Sequence, residues 1–129
     1  MKKIFIVLLI TTYLYADIKT MDTINRVVNN SYKYIREPTD KWLDYNTFKR
    51  VGGGDCEDFV IAKYIIATEM FNLRKQDFSF LVVTPTDKHI ILLYKGKEYD
   101  IKNPISNYKV LYKMDAKSFE YLYNKKIKE

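Results

Sequence analysis

The sequence predicts an α+β domain in which helices precede and follow an antiparallel sheet. Three observations carry that expectation. Apolar residues recur at helical spacing from Ile18 to Ile35 and again from Phe59 to Phe71. From Phe78 to Ile101 the period drops to two, or to unbroken apolar runs, which is the signature of strands. A last helical stretch, at about Ala116 to Lys126, closes the pattern.

Residues 1–16 read as a secretory signal peptide, and 17–129 as one domain. Lys2 and Lys3 give a positive start, Ile4 to Leu14 an apolar run of 11, and Leu14-Tyr15-Ala16 a small-residue cleavage site. The run is shorter than the roughly 20 residues that span a bilayer. An uncleaved anchor is the alternative, whereas a lipoprotein would need a cysteine near position 16. The 113 residues that follow suffice for one core and not for two.

Ile18, Met21, Ile24, Val27, Val28 and Ile35 predict a helix over roughly 19–35, ended by Arg36-Glu37-Pro38-Thr39-Asp40. A short segment, Lys41 to Phe48, carries the only tryptophan, Trp42, and leads to three glycines. The central helix begins near Cys56 and runs to about Asn72. Phe59, Ala62, Ile66 and Met70 form one stripe on it, and Val60, Tyr64, Ala67 and Phe71 a second beside the first. Two adjoining stripes mean a helix buried over most of its girth. Phe78 to Val83 reads as a strand, Thr84-Pro85-Thr86-Asp87 as a turn, and His89 to Tyr94 as a second strand. Lys95-Gly96 is a short hairpin connection to a third strand, Lys97 to Ile101. A further strand is expected at about Lys109 to Tyr112. Twelve tyrosines and seven phenylalanines in so short a chain must supply much of the buried area.

Charge excludes one class of partner. Lysine and arginine number 22 against 16 acids, or 20 against 16 without Lys2 and Lys3, and they are dispersed apart from Lys125-Lys126-Ile127-Lys128. So mild an excess is ordinary solvation and implies no nucleic acid.

Chemistry centres on the single cysteine, Cys56, in Gly52-Gly53-Gly54-Asp55-Cys56-Glu57-Asp58. One cysteine makes no intrachain disulfide. Its place in the first turn of a helix favours thiolate, the nucleophilic form, through the helix dipole and unpaired amide N–H groups. Cysteine catalysis also needs a base and a group that orients the base. The only histidine is His89.

Register supplies the third group. If Lys95 and Gly96 form a two-residue turn, Tyr94 faces Lys97 and Ile91 faces Asp100. His89 and Ile91 share a strand face, so Asp100 becomes the diagonal neighbour of His89, roughly 7–8 Å away at the backbone. A four-residue loop keeps that parity and a three-residue loop inverts it.

The same residues admit other readings. The glycine run could be a connector, and as a phosphate cradle it lacks the Lys-Ser/Thr ending. Cys56 and His89 are too few for a zinc site. Asp55, Glu57 and Asp58 could hold calcium through oxygen, or could be solvated acids at a helix start.

The run Gly-Gly-Gly-Asp-Cys-Glu-Asp-Phe-Val-Ile-Ala-Lys-Tyr at 52–64, with a strand-opening His89 and Asp100 eleven residues on, resembles the bacterial transglutaminase-like cysteine peptidases, notably the LapG-type periplasmic adhesin proteases. The resemblance covers roughly Trp42 to Pro104. It implies a papain-like or transglutaminase-like fold, with the nucleophile at the start of a central helix packed on an antiparallel sheet. It also implies that Cys56 is the nucleophile, His89 the general base and acid, and Asp100 the residue holding the imidazole tautomer. Calcium would fall on Asp55 and Glu57. The implied setting is the periplasm, the implied substrate a protein such as a large surface adhesin in a biofilm, and the implied regulator an inner-membrane receptor. Two alternatives stay open: a transglutaminase or other acyltransferase on the same triad, and a catalytically silent binding module of the same fold.

Overall fold

The computed structural model describes residues 2–36, 41–84, 89–101 and 107–128, with side chains from residue 15 onward. A long helix α1 (Lys2–Ser31) leads to a two-residue strand β1 (Lys33–Tyr34), a short helix α2 (Tyr45–Val51) and a second two-residue strand β2 (Gly53–Gly54). The central helix α3 (Cys56–Ile65) follows, continued by a π-helical turn, Ile66–Met70. Strands β3 (Phe78–Thr84), β4 (His89–Tyr94), β5 (Lys97–Tyr99) and β6 (Lys109–Asp115) form the main sheet, and α4 (Ala116–Ile127) ends the chain. Among the described residues, no helix is long and apolar enough to cross a membrane.

The sheet is antiparallel throughout, in the order β5-β4-β3-β6. Alternation along its strands sorts the side chains into two layers. Phe78, Phe80, Val82, Ile90, Leu92 and Tyr94 join Met21, Ile24 and Val28 of α1, most of α3 and Phe119 of α4 in the main core. Leu81, Val83, Ile91 and Leu93 form a smaller cluster on the other face. Every residue from Cys56 to Tyr64 is buried, as the paired stripes predict. Aromatic contacts bind the layers: Tyr64 meets Phe78 and Phe80 edge-on at 5.2 and 5.3 Å, and Phe80 stacks on Phe119 at 3.8 Å. Each fully buried ring or branched aliphatic side chain contributes about 1.5–3 kcal/mol.

Three sequence expectations shift at their ends. The first helix stops at Ser31 rather than near Ile35, because the next amides bond elsewhere: Lys33 N–H to Gly52 O at 2.9 Å and Ile35 N–H to Gly54 O at 2.7 Å. That small parallel pairing of β1 with β2 has no apolar period to announce it. The third strand ends at Tyr99 rather than Ile101, so Asp100 lies just past the ladder. The fourth runs on to Asp115, whose carboxylate caps α4 by accepting the Ser118 N–H at 2.8 Å. The turn expected at Thr84 to Asp87 falls largely on residues 85–88, outside the described residues.

Candidate active site

The hairpin between β4 and β5 has the tight turn on which the register argument depends. Tyr94 pairs with Lys97, Leu93 with Glu98 and Leu92 with Tyr99, and Lys95 and Gly96 both have positive φ, 50° and 82°. One step beyond the last pair, Asp100 meets His89: Nε2 lies 2.7 Å from Asp100 Oδ1. Both side chains are withdrawn from solvent, with 7% and 10% of their surface exposed. The carboxylate oxygen that faces the ring also accepts the Ile101 N–H at 2.7 Å, which fixes its direction. As an acceptor from Nε2–H, the carboxylate leaves Nδ1 of His89 with a lone pair, the state a general base requires.

Cys56 is the first residue of α3, with Asp55 as its N-cap. The sequence places three acids around the thiol, and the structure gives them different work. Asp58 is a backbone brace: its Oδ1 accepts the Leu43 N–H at 2.8 Å and its Oδ2 the Asp55 N–H at 3.1 Å. Burial, with the nearby Asp55, pushes its carboxyl up to about 8. Glu57 is buried too, and burial raises its carboxyl above the usual carboxylate range. Neither is therefore a solvated helix-end acid. Two close approaches explain the glycines. A Cβ on Gly53 would run into the backbone carbonyl of Lys33, and one on Gly54 into the Asp58 carboxylate.

The thiol itself departs from expectation. Its single proton is donated to Glu57 Oε2 at 3.1 Å, so it is not given to His89. Burial raises the thiol well above its ordinary range, and the charge and hydrogen bond of Glu57 add to this. The backbone N–H of Ile90 pulls the other way. The favour that a helix start lends a thiolate is outweighed here by desolvation and one adjacent carboxylate. The Ile90 amide nonetheless seats the sulfur against β4, one residue from His89.

The structure thus joins His89 to Asp100 directly and sets Cys56 beside the same strand. Asp55 and Glu57 flank the thiol, and among the described residues no group of three or more His, Cys, Asp or Glu is placed to hold a metal ion. Sequence reasoning missed three neighbours. Tyr34 sits by the thiol: its phenol is raised by burial first, with Cys56, Asp55 and Glu57 adding electrostatically. Lys63 and Asn29 both reach the backbone of Asp100. An interior lysine in an apolar helix, in the run Ile61-Ala62-Lys63-Tyr64, was the one available signal.

No protein-family model matches the chain, and no curated protein does. Solved structures do. The chain is similar to calcium-bound Legionella pneumophila LapG, with a TM-score of 0.64 and 20% identity over 74% of this chain and 64% of that one. EGTA-treated Legionella pneumophila LapG matches with a TM-score of 0.52 and 22% identity, over 78% of this chain and 52% of that one. A third structure of that protein matches with the same score and identity over 78% and 54%. This chain spans between half and two thirds of the length of those structures. At that level of identity the likeness is one of fold: the mixed helix and antiparallel sheet of this chain is similar to the part of LapG that it covers.

Proposed function

We propose that this chain is a periplasmic cysteine endopeptidase that cleaves a protein substrate, of the surface-adhesin kind, by acyl-enzyme chemistry on Cys56, His89 and Asp100. The observation that carries the reading is the buried contact of 2.7 Å between His89 Nε2 and Asp100 Oδ1, on the strand against which the Cys56 thiol is seated. The likeness in fold to LapG supports it.

Asp100 holds the imidazole so that Nδ1 accepts the thiol proton. The Cys56 sulfur then attacks the peptide carbonyl carbon, and the oxyanion that forms is met by the Cys56 backbone N–H, one of the unpaired amides at the start of α3. His89 returns its proton to the leaving amine as the C–N bond breaks. Water, deprotonated by the same ring, hydrolyses the thioester and frees the thiol. The first step requires the thiol to leave Glu57, to which it now gives its proton.

Calcium fits this chemistry as a counter-ion. Asp55 and Glu57 would hold it, being oxygen donors of which Glu57 is buried, its carboxyl raised by that burial. Such an ion supplies positive charge beside the sulfur. The rest of a shell of about six to eight oxygens would be carbonyls and water. Export by residues 1–16 and control by an inner-membrane receptor belong to the same proposal.

The test is cleavage of a co-expressed adhesin fragment. Wild type is expected to cut it, Cys56→Ala to abolish cutting, and EGTA to suppress it reversibly. Undiminished cutting by Cys56→Ala overturns the proposal. A labelled amine in the same assay separates hydrolysis from acyl transfer, since only transfer incorporates it.

A further inference from the structure

Asp100 presents its carboxylate to His89 from a weak position. It lies one residue past Tyr99, the last residue of β5 in the ladder, so no strand pairing holds its backbone. What does hold it comes from two helices. Lys63 Nζ of α3 donates to the Asp100 carbonyl oxygen at 2.9 Å, and Asn29 Nδ2 of α1 donates to that same oxygen at 3.0 Å. From α1, Asp22 also accepts from Lys97 Nζ and Tyr99 Oη, at 2.8 and 2.7 Å, so the strand leading to Asp100 is tied to the same helix.

Lys63 is unusual in its own right. It has 0% exposure, on a helix buried from Cys56 to Tyr64. Burial draws its ammonium down to about 7, with the negative charge of Asp100 opposing. A methionine would fill a similar volume without desolvating a charge, so packing does not account for a lysine at this position. Seven residues separate it from Cys56. Seven residues are close to two helical turns, which puts both on one side of α3, about 10 Å apart along the axis. One rigid helix face therefore carries the nucleophile at one end and the anchor of the acid at the other.

We propose that Lys63, with Asn29, is a positioning residue of the active site: the two clamp the Asp100 carbonyl so that the carboxylate stays aligned on His89 Nε2. The inference deepens the peptidase reading, and rests on it for the role of the His89–Asp100 pair. Both act through Asp100, so their loss weakens the orientation of the imidazole and leaves substrate binding intact.

His89 is the only histidine, so proton NMR of the imidazole N–H region reports this one ring without assignment. Wild type is expected to show a protected Nε2–H signal from the bond to Asp100. In folded Lys63→Met the exchange of that proton with solvent is expected to quicken at least about tenfold, the equivalent of losing one charge-assisted hydrogen bond. Asn29→Leu is expected to move it the same way by less. A protected signal unchanged in folded Lys63→Met overturns the inference, as does its absence from wild type. Should Lys63→Met fail to fold, Asn29→Leu decides: faster exchange supports the clamp and unchanged exchange overturns it. The measurement needs no substrate, so a wild type that cuts nothing refutes the peptidase reading while leaving this result readable. With a cleaved substrate in hand, Lys63→Met should lower kcat about tenfold with KM within about twofold.

Discussion

The buried ammonium of Lys63 makes stability depend on pH in a direction that can be worked out in advance. Its proton affinity falls from 10.5 in the open chain to about 7 in the fold, chiefly through burial. Between those values the unfolded chain binds a proton that the native state does not, so unfolding takes one up and stability rises with pH. The destabilisation is complete below about pH 7 and relieved above about 10.5, a total of about 5 kcal/mol. Lys63→Met removes that slope. The assay is urea unfolding of both proteins at about pH 7 and about pH 9.5, where wild type should gain about 3 kcal/mol that the variant does not. The bond lost to the Asp100 carbonyl costs the variant about 1 kcal/mol or more without adding a slope of its own, because all of the wild type's pH dependence at this residue is already contained in its shifted proton affinity. Asp58 has the opposite sign: its carboxyl, raised from 3.8 to about 8, is a source of stability that is lost as pH climbs through that interval. It titrates equally in both proteins and so cancels in the comparison. A difference between the two slopes below about 1 kcal/mol would refute the reasoning, because it would mean that water or a counter-charge reaches Nζ in the folded protein.

Two other expectations concern the thiol and the glycines that precede it. Glu57→Gln removes the carboxylate charge that, after burial, does most to raise the thiol. Alkylation of the single cysteine by iodoacetamide, followed by mass spectrometry in metal-free buffer near neutral pH, should then run about tenfold faster. An unchanged rate would leave desolvation as the whole cause. Gly53→Ala should destabilise by about 2–4 kcal/mol in thermal or chemical unfolding, since the new methyl meets the Lys33 carbonyl of the backbone, which cannot step aside. Gly52→Ala is the control. Its φ is +89°, yet nothing lies within 4 Å of the added carbon, so it should cost only the strain of a left-handed backbone, about 1–2 kcal/mol. Equal costs at the two positions would show that the contact with Lys33 contributes nothing.

What the sequence disclosed follows the range over which each interaction acts. The His89–Asp100 contact was legible because a two-residue turn transmits register without loss, and the alternation of strand side chains converts register into proximity. The burial of α3 was legible because apolar period is a local property of the chain. The pairing of Lys33-Tyr34 with Gly53-Gly54 was not, since two residues have no period and the glycines read equally as a connector. Nor was the state of the thiol. A helix start predicts a lowered pKa from the residues nearest in sequence. The pKa is raised because the sulfur is buried and the Glu57 side chain turns back to take its proton. Burial is a sum over every element that packs there, and no spacing records it. Lys63 combines the two cases. Its neighbours in sequence mark it as anomalous, but its partner, the Asp100 carbonyl, lies 37 residues away, at the point where a strand has just left its ladder. A buried charge in an apolar helix is thus readable as a question, and only the fold shows that the group it meets is the backbone of the residue whose carboxylate faces His89.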